Sequence, residues 1–198
     1  MERSPLWTLS YKGLKPEEEG LREALCTLGN GYFAVRGAAP EFHADDNHCP
    51  GMYMAGLFNK VGTKMGGRII YNEDFVNCPN WLYLTFKIDD GDWFKPAPGQ
   101  LMEYEQVLDM RNGMLHRKLR FKDKKDRKTR VNTRCIVSMD DPHTAAMEYC
   151  ITPENYSGKI TVRTELDGTV INWGVKRYRQ LNSKHWKPVS QGTFSGNV

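Results

Sequence analysis

Apolar and polar residues alternate along most of this chain, and the alternation is broken by turn residues rather than by the three- and four-residue spacing of a helix. Residues 81–89 are the clearest case: Leu82, Leu84, Phe86 and Ile88 share one face, and Trp81, Tyr83, Thr85 and Lys87 the other. Similar patterns predict strands at 7–11, 25–28, 32–35, 51–58, 68–71, 101–110, 114–121, 129–138, 144–151, 159–166 and 169–172, with a short return at Trp93-Phe94. Asn30-Gly31 and Asn112-Gly113 each join two apolar runs, and Asn-Gly tolerates the positive φ of a type I′ hairpin turn. A glycine-rich turn is expected at 62–67, and Asp89-Asp90-Gly91-Asp92 ends the 81–89 strand. Residues 16–20 read as a loop or a single helical turn, and no helical periodicity extends beyond a turn or two.

Strands joined by tight turns, with no helices between them, pair antiparallel, because parallel pairs need long crossovers. About ten strands exceed what one twisted sheet holds comfortably, so two sheets should pack face to face or curl toward a barrel. The chain has no internal repeat and no domain boundary before about Tyr178, where it turns polar and irregular. An all-β, antiparallel, single-domain sandwich is the expectation.

Composition narrows the function. The 198 residues, 39% apolar and 11% aromatic, suffice for one sizeable core. No run of about 18 apolar residues occurs, and the start MERSPLWTLS lacks a signal sequence, so a cytoplasmic location is expected, with no membrane partner. Five cysteines, odd in number and without a Cys-x-x-Cys pair, point to reduced, mostly buried thiols rather than a disulfide framework or zinc knuckle. The net charge of +4 concentrates in 117–134. Clustered cations attract phosphates, but this run alternates with Leu119, Phe121 and Val131 and is interrupted by Asp123 and Asp126, as on the solvent face and turn of a hairpin. No nucleic-acid partner is expected.

Candidate chemistry lies at strand ends. Arg36 and Glu41 flank the exit from the 32–35 strand, where charged groups can either form a surface ion pair or build a binding site. Residues 41–50, EFHADDNHCP, have metal-ligand composition without the spacing of a known site, and no metal is expected. No nucleophile elbow or nucleotide-binding glycine loop is present. Of Trp7, Trp81, Trp93, Trp173 and Trp186, which can plug a core or stack on sugars, Trp81 stands out because it follows Asn77-Cys78-Pro79-Asn80.

Taken in order, Glu23, Leu28-Gly29-Asn30-Gly31-Tyr32, Arg36-Gly37 and Glu41 resemble the opening of the N-terminal domain of glycoside hydrolase family 65, the family of maltose, trehalose and kojibiose phosphorylases. The resemblance continues through PGMYMAGLFN at 50–59, VNCPNW at 76–81, LDMRNG at 108–113 and RCIVSM at 134–139. It implies a large super-sandwich similar to that of galactose mutarotase, truncated here at its C-terminal end. It also implies that the catalytic glutamate resides in a helical barrel absent from this chain, so that the chain alone is inactive. The intact enzyme would cleave α-glucosyl disaccharides by inverting phosphorolysis to β-glucose 1-phosphate, with inorganic phosphate as co-substrate and no cofactor. The partners implied are the barrel of the same polypeptide and, through it, the disaccharide, and a homodimer is compatible with the family. Arg36, Glu41, Asn77 and Trp81 are the substrate or domain-interface candidates, with the loops 38–50 and 72–80 facing the barrel. The alternative is a free-standing carbohydrate-binding or adaptor sandwich.

Overall fold

The computed structural model describes residues 5–172, 180–190 and 192. Its main layer is a five-stranded antiparallel sheet in the order β1 (Thr8–Lys12), β8 (Leu101–Asp109), β9 (Met114–Lys122), β10 (Lys128–Val137) and β11 (Ala145–Pro153). The remaining strands form three smaller antiparallel sheets: β2 (Leu28–Gly29), β3 (Phe33–Val35) and β4 (Met52–Met54); β5 (Phe58–Met65) with β6 (Arg68–Phe75); and β7 (Leu84–Ile88) with β12 (Ile160–Thr164). Two of these cover one face of the large sheet. Leu28, Phe33 and Val35 pack with Leu108, Leu115, Cys135 and Val137, while Phe86 and Ile88 pack with Tyr104, Leu119, Phe121 and Val131. The core therefore lies between two β layers, as in a sandwich. Phe86 and Leu119 are wholly buried, a contribution of about 1.5–3 kcal/mol each.

The alternation in β9 and β10 is regular, with Leu115, Leu119, Phe121, Val131, Cys135 and Val137 inward. Outward cations are matched with acids: Arg120 and Arg130 both hold Glu154, Arg134 holds Glu148 and Lys122 holds Asp126. The basic run is thus largely a charge-paired solvent face. Arg117 is the exception, for it points into the core.

Several expectations are corrected. Residues 16–25 form a helix, α1 (Pro16–Leu25), rather than a loop or single turn, and Leu25 ends that helix instead of starting a strand. Pro16 stands in the first turn, where its missing N–H costs nothing, and Glu17, Glu18 and Glu19 meet the positive end of the helix dipole. The helical period was present but written in charge: the buried positions are Glu19, Arg22 and Glu23, spaced three and four apart. A search for apolar periodicity passes over such a face.

The turns also differ. In the β2–β3 hairpin only Gly31 has positive φ, 86°, within a four-residue loop between the paired Gly29 and Ala34. Asn30 does not supply a positive φ; its Oδ1 accepts the Tyr32 and Phe33 amides at 3.0 and 3.1 Å. Asn112-Gly113 likewise uses positive φ at Gly113 alone, within a four-residue loop between the paired Asp109 and Met114. The two-residue turn with positive φ at both centres is Gly66-Gly67, where Met65 pairs with Arg68. Accordingly the predicted turn at 62–67 and strand at 68–71 are one long hairpin, β5–β6, and the predicted 51–58 strand splits between β4 and β5. The 81–89 strand shortens to β7, Trp93-Phe94 is not a strand, and 169–172 is irregular. Trp173 and Tyr178 lie outside the described residues.

Candidate functional site

The loop from Arg36 to Gly51 leaves β3, passes beneath α1 and returns to β4. It runs close to the helix end: a Cβ on Gly37 would stand 2.6 Å from that of Cys26. Although residues 41–50 are polar in composition, Glu41, Phe42, His48, Cys49 and Pro50 are buried. Their polar groups are satisfied by the fold itself. Glu23, 1% exposed, accepts the Cys49 amide on Oε2 at 2.7 Å and pairs with His48 Nδ1 through Oε1 at 3.0 Å. His48 stacks on Phe42 with ring centroids 3.7 Å apart. Arg22 donates to the Gly13 carbonyl at 2.7 Å and to Glu19 at 3.1 Å, while burial pushes the Glu19 carboxyl above its ordinary range.

The four sequence candidates do not converge on one place. Arg36 and Glu41 do not form the expected surface ion pair. Arg36 donates through Nη2 to the Gly20 carbonyl at 2.9 Å and lies 3.9 Å from Glu23. Glu41 instead enters the core and takes a bidentate ion pair from Arg117, Nη1 to Oε2 at 2.7 Å and Nη2 to Oε1 at 2.5 Å, with the Tyr149 hydroxyl donating to Oε1. Burial opposes the Arg117 charge, but the Glu41 carboxylate and its hydrogen bonds outweigh that and hold the guanidinium more firmly protonated than usual. Desolvation, followed by the Glu41 charge, raises the Tyr149 hydroxyl well above its ordinary value.

Asn77 sits beside Arg36, across Gly51, where an added Cβ would stand 3.0 Å from Asn77 Oδ1 and 3.1 Å from Arg36 Cδ. The Asn77 side chain accepts the Met52 amide at 3.1 Å and donates to the carbonyls of Pro50 and Ile171 at 3.3 and 3.1 Å. Its backbone carbonyl accepts Trp186 Nε1 at 2.8 Å. Asn77 therefore ties four separate segments together. Trp81 precedes β7 and packs, partly buried, against the core cluster of Leu28, Leu82 and Leu108, rather than projecting from the far face of a strand.

Sequence reasoning passed over the exposed groups near these residues. His43 stacks on Tyr83 at 3.9 Å and its Nε2 lies 2.9 Å from Glu165 Oε2, and Glu165 is also paired with Arg163. Arg163 and Glu165 in turn line an open groove of about 760 Å³ together with Pro79, Asp167 and Trp186. A carboxylate, a cation and an indole in one groove suit hydroxyl-rich ligands, but nothing in the local pattern of residues 163–167 connected them to His43. His43 and His48 diverge, and among the described residues no group of three or more His, Cys, Asp or Glu is placed to hold a metal. No helix among them is long and apolar enough to cross a membrane. All five cysteines are free, with Cys150 exposed and the other four buried.

The family model for "Glycosyl hydrolase family 65, N-terminal domain" matches residues 9–198. An uncharacterized glycosyl hydrolase of Mycobacterium tuberculosis is 45% identical over 179 residues, which cover 90% of this chain and 14% of that protein. The kojibiose phosphorylase of Thermoanaerobacter brockii is 33% identical over 166 residues, 84% of this chain and 20% of that enzyme. The trehalose 6-phosphate phosphorylase of Lactococcus lactis is 31% identical over 198 residues, 94% of this chain and 24% of that enzyme. A solved structure described as a candidate kojibiose phosphorylase from the human microbiome superposes with a TM-score of 0.77 at 17% identity, covering 98% of this chain and 25% of that one. That likeness is one of fold.

Proposed function

The chain belongs to glycosyl hydrolase family 65, whose N-terminal domain it matches over residues 9–198, and from this premise we propose that it is the accessory domain of a disaccharide phosphorylase. The observation that carries the reading is the coverage: the chain spans 14–24% of the curated relatives just described while matching most of its own length. In this reading the reaction is inverting phosphorolysis of an α-glucosyl disaccharide, giving β-glucose 1-phosphate and a free sugar in a catalytic domain of the same polypeptide. Such cleavage needs a carboxylic acid that reaches the leaving oxygen. The buried Glu19, Glu23 and Glu41 are committed to Arg22, His48 and Arg117, which leaves them unsuited to that role.

The chain alone is then inactive, and its contribution is to hold the loop 38–50 and residues 76–80, the part of the expected 72–80 loop that lies beyond β6, against the catalytic domain. Arg36, Glu41 and Asn77 serve there as positioning residues, and Trp81 anchors the second loop to the core. The test compares this chain with the polypeptide extended through its gene, each incubated with kojibiose, trehalose or maltose and inorganic phosphate. Phosphorus NMR should detect β-glucose 1-phosphate with the extended protein only. Release of glucose at a rate independent of phosphate would overturn the phosphorylase reading.

A further inference from the structure

A cavity of about 370 Å³ opens between the turn that follows β7 and the turn joining β9 to β10, within the size range of small-ligand sites. Its floor is aromatic: Phe94 stacks on Phe121 with centroids 4.1 Å apart, and Phe86 lies 5.1 Å from Phe94. Trp93 stands at the rim, 39% exposed.

The two turns are tied to one another. Arg127 donates to Asp89 Oδ2 at 2.8 Å and to Asp123 Oδ2 at 2.7 Å, and Asp123 Oδ1 accepts the amides of Lys125 and Arg127 at 2.8 and 3.0 Å. Among the described residues, the two non-glycine positions with positive φ are Asp89 at 53° and Asp126 at 59°, one in each turn. Backbone held in that region at the mouth of a cavity marks a shape maintained by its surroundings. The mouth is therefore pre-organised, which lowers the ordering cost of binding.

Its charge is one-sided. Of the lining cations, Arg127 is committed to the two aspartates and Lys95 leans toward Asp45 at 3.7 Å. That leaves Lys87, whose Nζ lies 5.5 Å from the Trp93 ring, and the exposed Lys124 and Lys125, against the carboxylate of Asp92. An apolar floor under a cationic rim selects an amphipathic anion.

We propose that this cavity is an accessory site for a sugar phosphate, with the sugar ring over Trp93 and Phe94 and the phosphate at Lys124 and Lys125. The anion rests on the lysines, and the sugar half rests also on the family reading of the chain. Flat apolar ring faces suit the C–H faces of a pyranose, and lysine ammonium groups form charge-assisted hydrogen bonds with phosphate.

Isothermal titration of the chain at low salt, with glucose 6-phosphate, glucose, inorganic phosphate and phenyl phosphate, tests it. Glucose 6-phosphate should bind one to one and at least about tenfold more tightly than glucose or phosphate alone. The double variant Lys124→Ala/Lys125→Ala alters exposed side chains and should weaken binding about tenfold or more. Trp93→Ala should weaken glucose 6-phosphate but not inorganic phosphate, and Lys118→Ala on the opposite face of the large sheet should change neither. Equal affinity for phosphate and glucose 6-phosphate, tighter binding of phenyl phosphate, unaltered binding by the double lysine variant, or no binding overturns the proposal. None of these measurements assays disaccharide cleavage, so their failure is distinguishable from failure of the phosphorylase reading.

Discussion

Arg117 and Glu41 form a buried bidentate ion pair, with Nη1 2.7 Å from Oε2 and Nη2 2.5 Å from Oε1, across 76 residues of sequence. On β9, Arg117 lies between the inward Leu115 and Leu119, so the pair falls where the two halves of the apolar core meet. Removing one partner leaves a buried charge uncompensated. Glu41→Ala should therefore cost about 3–5 kcal/mol in urea denaturation, whereas the double change Glu41→Leu/Arg117→Met should recover much of that loss. A single-variant cost below about 1 kcal/mol would show that solvent reaches the pair.

Asn77 should behave as a brace. Asn77→Ala leaves the Met52 amide and the carbonyls of Pro50 and Ile171 without their partner, an expected loss of about 1–3 kcal/mol. Gly51→Ala should also destabilise, by about 1–3 kcal/mol, because its Cβ meets Asn77, Tyr53 and Arg36 at 3.0–3.1 Å. In the extended enzyme a pure brace lowers the melting temperature with unchanged disaccharide KM. A raised KM in a normally stable variant would instead place the loop at the substrate.

Thiol reactivity should divide one against four. Cys150 points to the outer face of β11 and should react with a thiol reagent in the native state, while Cys26, Cys49, Cys78 and Cys135 should react only on unfolding. Burial raises the Cys26 and Cys135 thiols to about 11, so in the folded state the fraction of reactive thiolate at neutral pH is very small. Rapid native reaction of more than one thiol would contradict the packing of the core.

The same groups set an alkaline limit. Burial raises Cys26, Cys135, Tyr104 and Tyr149 above their ordinary values, so the folded chain holds these protons more tightly than the unfolded one. Their contribution is fully present below the unfolded thiol value of 9.0 and is lost as pH rises from there through about 11, with the tyrosines following. Each group contributes a slope of up to about 1.4 kcal/mol per pH unit in that window. Unfolding free energies measured between pH 8 and 11 should fall accordingly, and a flat profile would mean the thiols and phenols are hydrated in the folded state.

What the sequence by itself determined is the β architecture and the family. Period-two alternation is a local property, so β8 to β11 fall within one or two residues of the predicted strands, and short turns forced the antiparallel pairing. The family blocks, being ordered along the chain, needed no coordinates. What only the tertiary structure decided is where charged side chains go. The Glu19-Arg22-Glu23 face reads as solvated in one dimension and becomes an inward face because the 36–51 loop closes over Glu23 while Tyr11 and Gly13 meet Arg22. Arg117 has the same period as its neighbours and reads as part of a basic surface, yet Glu41, 76 residues distant, makes its burial tolerable. Turn geometry divided in the same way: Gly66-Gly67 carries positive φ at both centres, whereas Asn30 was free to use its side chain on the Tyr32 and Phe33 amides. Hydrophobic patterning is a sum over nearest neighbours, but a buried charge is stable only beside a partner that the chain brings from far away.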